Sequence, residues 1–226
     1  MLTLYQFESC PFCWKVKALL HYAKIPYRII EVNPMTSEEL KPLGLKQVPV
    51  LVDDGEVIKE SSVIVDYLNE RYAKLPVTED AAQWRTWVDQ QLVFLLPPII
   101  HKNFLTSWKT FGRVLRTSGF SPIKRCFVRL GGAVAMSRSA PKKAQARGIS
   151  DAPAALQAAI RHWVDQGLAG RAFHGRDAPD LADLAVFAVL RATDGLVTIQ
   201  LAEAASPGFA PWYAAMKTRT PSSASS

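Results

Sequence analysis

Residues 2–22 read LTLYQFESCPFCWKVKALLHY. A short alternating apolar run leads into two cysteines enclosing Pro-Phe, and apolar positions at helical spacing follow. Pro11 fits the first turn of a helix, where its missing N–H leaves no hydrogen bond unmade. The pair Cys10–Cys13 therefore sits at a strand-to-helix junction, and CxxC beside a β-α-β pattern marks a thioredoxin-like site. Cys10 falls at the helix N-cap, where unpaired N–H groups and the helix dipole favour a thiolate, and Lys15 adds positive charge nearby. Cys13, one turn inside, is placed to act as a resolving thiol. Zinc would need a second pair of ligands. Cys126 stands alone, and His21, His101, His162 and His174 form no pair, so no metal is expected. A CxxC loop is also too short to restrain much unfolded chain as a structural disulfide.

The following segments extend this pattern. Tyr27–Val32 (YRIIEV) reads as a buried parallel strand. Asn33-Pro34 ends it, and 36–43 reads as a short helix with Thr36 as cap and Glu39 completing a capping box. Val48–Val52 and Glu56–Lys59 form a hairpin about Asp53-Asp54-Gly55, and 61–72 is an amphipathic helix. This α/β order fills residues 1–74 as a thioredoxin-like domain. Residues 75–83 read as a linker. Helices are expected at 81–96, 103–117, 122–139, 151–168 and 180–198, with no convincing strand among them, so 84–220 forms an all-α domain. Pro207, Pro211 and a disordered tail at 221–226 close the ordered part.

Two further points mark a binding surface. Pro49 opens a strand without needing a ladder donor. In a thioredoxin-like fold such a proline is cis and faces the thiol, which leaves the Val48 backbone free for an extended peptide. Glu60-Ser61-Ser62 opens a helix, and Ser61 as cap offers a hydroxyl and backbone N–H groups that either cap the helix or hold a carboxylate.

No apolar run approaches the ~18 residues of a membrane span. The stretch at 92–100 is interrupted by Pro97 and Pro98, and Met1 leads directly into strand-like sequence without a signal-peptide pattern. With three cysteines in 226 residues, a soluble protein of a reducing, cytoplasmic compartment is expected. The net charge of +7 is unevenly placed: 101–147 holds eleven Lys or Arg and no Asp or Glu. Such a stretch suits anionic ligands, an anionic membrane surface or nucleic acid, and equally a solvated helical face. No nucleic-acid partner is expected.

Together, CPFC, VPVL and ESSVI occur in the order of the thioredoxin-like domain of glutathione transferases. The chain more specifically resembles the membrane-associated prostaglandin E synthase type 2 family. The resemblance lies in LTLYQFESCPFCWKVKALL, IPYRIIEVNP, QVPVLV, SSVI, WRTWVDQQLV, GGAVAM, PDLADLAVFAVLR and PWY. It implies a homodimer with a glutathione-transferase-like all-α second domain, and glutathione as cofactor. It also implies isomerisation of a prostaglandin H2-type endoperoxide to a hydroxy-ketone, on a lipid or similar electrophile. Carried over, Cys10 is the essential thiol, Val48 and Pro49 meet the glutathione backbone, and Glu60 and Ser61 meet its γ-glutamyl end. Retention of Cys13 keeps open a glutaredoxin-type thiol–disulfide oxidoreductase or a glutathione transferase, and the basic half keeps open a non-catalytic anion- or lipid-binding module.

Several positions depart from the family. Phe7 stands where animal members have Tyr, Phe94 and Pro97 where the animal enzyme has a His and a Ser, and Lys142 and Ala146 where arginines are expected. These departures argue against haem. The animal N-terminal anchor and an insertion before Trp84 have no counterpart here, which implies a soluble, compact relative.

Other residues read as structural. Asp180 and Asp183 suit helix capping, and Trp84, Trp87 and Trp163 suit core packing. Cys126 reads as a buried small hydrophobe. His162 and His174 are assigned no chemistry. Phe104, Leu105, Trp108, Phe111 and Leu115 recur at helical spacing opposite Lys109, Arg113 and Arg116, which reads as core or dimer packing, as a membrane-surface helix, or as the wall of an acceptor site.

Overall fold

The computed structural model describes residues 1–34, 36–114 and 121–221. Four strands, β1 (Thr3–Gln6), β2 (Arg28–Glu31), β3 (Val50–Asp53) and β4 (Glu56–Lys59), form one sheet in the order β2-β1-β3-β4. β1 and β2 run parallel, with Thr3 opposite Arg28, and helix α1 (Pro11–Tyr22) makes the crossover between them. β3 lies antiparallel to both β1 and β4. Helix α2 (Ser61–Leu68) follows and continues through a wider turn at Asn69–Ala73.

The rest is helical: α3 (Glu79–Trp87), α4 (Val93–Ile100), α5 (Phe104–Val114), α6 (Pro122–Ala146), α7 (Ala152–His162), α8 (Leu181–Arg191), α9 (Val197–Ala205) and α10 (Phe209–Arg219). Beyond β4, strand-like pairing among the described residues is one isolated bridge, Phe173 to Arg176. The stretch read as a linker holds the start of α3, which Thr78 caps by accepting the Ala81 N–H at 3.1 Å.

Helix α8 explains how the two parts join. Its residues 181–190 are buried on every side, as an all-round apolar helix requires. α1 packs directly on it, so one apolar core runs from Leu4 and Leu51 through Leu19 and Leu20 to Val186 and Trp163. Asp180 and Asp183 start α8 with a reciprocal capping box. Asp183, fully buried, also accepts from the His174 and Gly175 N–H groups and from Trp212 Nε1 at 2.8 Å.

Four expectations need correction. Thr36 caps no helix. Residues 38–43 form a 3-10 turn entered from Ser37 at φ 48°, and Glu39 instead accepts the Asn33 N–H at 2.9 Å. The helix expected over 180–198 ends at Arg191, because the Thr193-Asp194-Gly195 turn, with Gly195 at φ 70°, redirects the chain into α9. The prolines at 207 and 211 do not end the ordered part. Pro211 lies in the first turn of α10, whose Phe209, Trp212, Tyr213 and Met216 are buried. Cys126 is exposed on α6 rather than buried. The helix expected at 103–117 is seen to Val114; its last residues, with Leu115 and Arg116, lie outside the described residues, as do 222–226 of the expected tail.

Candidate active site

Cys10 occupies the N-cap of α1 with extended backbone (φ −79°, ψ 117°), and Pro11 follows at the first helical position. Its N–H donates to the Phe7 carbonyl at 2.9 Å, closing a turn that presents the side chain at the end of β1. The Cys10 thiol is held below its ordinary value, chiefly because the Cys13 thiol donates to it, with help from the Cys13 and Phe12 N–H groups and against the effect of burial. Cys13 is fully buried, and burial together with the adjacent Cys10 pushes its thiol well up. The pair is thus divided into a partly exposed thiol whose ionisation is favoured and a buried thiol behind it whose ionisation is opposed.

A cavity of about 1000 Å³ opens in front of Cys10. Cys10, Val48, Pro49, Glu60 and Ser61 all line it, so the structure brings together every expected site residue except Cys13. The Val48-Pro49 bond is cis. Glu60, not Ser61, is the N-cap of α2; its φ of 68° is unusual for a residue with a side chain and turns the chain sharply from β4 into the helix. Ser61 becomes the first helical residue, and the first-turn amides of α2 carry no side-chain cap.

Lys15 does not serve Cys10 as expected. Buried, it donates to both oxygens of Asp89, at 2.6 and 2.8 Å, and to Ser62 Oγ at 3.0 Å. Asp89 and Ser62 reach the cavity, and the ammonium behind them is spent on that pair.

A carboxylate pair beneath the Cys10 turn escaped the sequence reading. Glu31 accepts the Glu8 N–H at 3.0 Å and Gln6 Nε2 at 2.7 Å, while Glu8 accepts Lys17 Nζ at 2.7 Å. The signal was the lone acid, Glu31, near the end of the YRIIEV segment.

Phe7 is buried against Phe111, Val128 and Ala133, with Cys10 and Trp108 beside them. It lines the first cavity and also a second one of about 460 Å³, which is mostly apolar and lined by Ser9, Pro11, Leu96, Phe111 and Met136 among others. His101 also borders it; burial pushes this imidazole down to about 4, so it is neutral at ordinary pH. Phe94 and Pro97 bring no side-chain donor for a haem iron.

Comparison with known proteins points to the same two-part fold. Residues 4–76 match the family described as "Glutathione S-transferase, N-terminal domain". Prostaglandin E synthase 2 from Danio rerio is 30% identical over 86% of this chain and 65% of its own length. Prostaglandin E synthase 2 from Mus musculus is 28% identical over 86% and 64%. The chain thus spans about two thirds of the length of these relatives. A glutathione S-transferase from Rhodospirillum rubrum superposes with a TM-score of 0.66 at 20% identity, covering 96% of this chain and 88% of that one. Human glutathione S-transferase T1-1, in its W234R form, gives 0.63 at 17% identity, over 98% and 84%.

The chain has a glutathione-transferase-like fold, with a thioredoxin-like sheet domain joined to a helical domain. In sequence it is similar to prostaglandin E synthase 2 proteins, over just under two thirds of their length.

Proposed function

We propose that this protein is a glutathione-dependent isomerase that converts a cyclic endoperoxide of the prostaglandin H2 type into a hydroxy-ketone. The observation that carries the reading is the position of Cys10. It is a thiol of lowered pKa at a helix N-cap, on the edge of the more polar of two cavities that share Phe7 in their walls. Glutathione would occupy the more polar cavity with its backbone along Val48 and Pro49. Its γ-glutamyl carboxylate would meet the uncapped amides at Ser61, and its amino group Glu60. The apolar cavity is left for the hydrocarbon of the substrate.

In this reading a thiolate attacks one endoperoxide oxygen, with Cys10 the essential thiol and glutathione beside it the cosubstrate thiol. The S–O bond forms, the O–O bond breaks, and the other oxygen leaves as an alkoxide that takes up a proton. Loss of the C–H proton on the carbon bearing the sulfur-bound oxygen then forms the carbonyl and expels the thiolate. The product is an isomer of the substrate, and no external oxidant or reductant is used.

The test is product analysis after mixing the protein with prostaglandin H2, with and without glutathione, beside Cys10→Ser. Prostaglandin E2 above the spontaneous background, dependent on glutathione and lost in the variant, is the expected result. No excess product would refute the isomerase.

The Cys13–Cys10 contact supports a second reading, a glutaredoxin-type oxidoreductase. Cys10 would take glutathione from a mixed disulfide and release the other thiol. Cys13 would then displace glutathione to form the Cys10–Cys13 disulfide, which two further glutathiones reduce. Cys13→Ser abolishes that dithiol cycle and spares an isomerase.

A further inference from the structure

Large apolar side chains are concentrated on the surface of one hairpin. Of eleven that are exposed among the described residues, five lie on α5 and α6: Phe104, Leu105, Ile123, Phe127 and Leu130. On α6 the spacing of 123, 127 and 130 puts them along one side of the helix, while Val128, Ala133, Ala140 and Ala144 are buried on another. The hairpin is therefore apolar on its inner side, where Phe111 and Val128 pack on Phe7, and apolar again on its outer side.

The charge around this outer side has one sign. No Asp or Glu occurs between 101 and 147. Arg129 is held between α6 and α5: its Nε donates to the Trp108 carbonyl at 3.1 Å and its guanidinium carbon lies 4.0 Å from the Trp108 ring centre. A Cβ on Gly112 would fall 2.5 Å from that guanidinium, so the glycine makes room for it. Phe104 stacks on the same indole, with centroids 6.0 Å apart. Arg129 and Lys109 line a hollow of about 550 Å³ with Thr106 and Thr110, and no acidic residue lines it.

We propose that the α5–α6 hairpin docks the protein onto an anionic phospholipid surface. The exposed apolar side chains enter the boundary between headgroups and acyl chains, and the Lys109–Arg129 hollow takes a lipid phosphate. Charge complementarity selects this occupant. A second copy meeting the patch with its own would set like charges against each other, whereas an anionic leaflet neutralises them. The inner side of the same hairpin walls the apolar cavity beside Cys10, so docking would bring that cavity to the membrane surface. The proposal holds whichever reaction Cys10 performs.

The test is co-sedimentation of the full chain with vesicles of phosphatidylcholine alone or mixed with phosphatidylserine, at low and high salt, alongside its mass by light scattering. Binding to the anionic vesicles only, weakened roughly tenfold by high salt, is expected. Phe127→Glu and Lys109→Glu should each reduce that binding about tenfold while leaving the melting temperature and the alkylation rate of Cys10 unchanged. Absence of binding to anionic vesicles, or binding by both variants equal to that of the wild type, overturns the proposal. So does a dimer that Phe127→Glu dissolves in a protein that ignores lipid.

Discussion

Glu31 and Glu8 meet beneath the turn that carries Cys10. The Glu31 carboxylate accepts the Glu8 N–H at 3.0 Å, and Gln6 Nε2 bridges the two side chains at 2.7 and 3.1 Å. Burial pushes Glu31 up to about 7, and its negative charge opposes the Cys10 thiolate. Glu31→Gln keeps an acceptor for the Glu8 N–H and removes the charge. Alkylation of Cys10 by iodoacetamide should therefore become several-fold faster above pH 7, where wild-type Glu31 is ionised, and change little below pH 5. Equal rates across the whole range would mean that Glu31 only props the turn.

The same carboxyl gives stability a pH dependence with a definite sign. Its folded value, about 7, lies above its ordinary 4.5, so folding favours the protonated form. Its contribution is complete below pH 4.5 and is lost as pH rises through 7. Melting curves should show Glu31→Gln gaining on the wild type between pH 4.5 and 7, with a constant difference above that. A gain that appeared only on acidification would contradict the assignment.

Cys13→Ala removes the donor that contributes most to holding the Cys10 thiol down. The expected outcome is slower alkylation of Cys10 at neutral pH, with the profile displaced to higher pH and the limiting rate at high pH retained. An unmoved profile would assign the thiolate to the helix N-terminus alone.

Asp183 accepts four hydrogen bonds while fully buried, so Asp183→Ala strands the N–H groups of His174, Gly175 and Asp180 and the Trp212 indole. A loss of about 3–5 kcal/mol in urea unfolding is expected. A loss below about 1 kcal/mol would show that the segment before α8 is held by packing instead.

The legible part of the site was its local part. CPFC, Val48-Pro49 and Glu60-Ser61 each carry their chemistry within a few residues, and the strand order brings them to one cavity. Contacts made across the fold left no local trace. Lys15 is drawn to Asp89 on the wider turn between α3 and α4, 74 residues away. His174, without partner spacing in the sequence, bonds Asp180 at 2.6 Å and Asp80 at 3.0 Å. The missed helix α10 shows how a proline misleads when it falls in a first turn, where it breaks nothing. Cys126 was misplaced because residue type sets average burial, whereas its position on α6 sets its own.

The Lys15–Asp89 pair ties α1 to the helical half at the back wall of the cavity, with Ser62 Oγ donating to Asp89 at 2.9 Å. Its two halves are unequally placed: the Lys15 side chain is 2% exposed and that of Asp89 28%. Burial already pulls the Lys15 ammonium below its ordinary value, against the attraction of Asp89. Asp89→Leu would leave that ammonium buried without its carboxylate, a change expected to destabilise by about 3–5 kcal/mol. Lys15→Met leaves a carboxylate that can still be solvated from the cavity, so it should cost less. The double variant removes both charges and should recover most of the loss, because an apolar pair of similar volume needs no compensation. Urea unfolding of the four proteins measures the coupling. Additive losses would mean that the two charges are solvated independently and that α1 is held to the helical half by the apolar core alone.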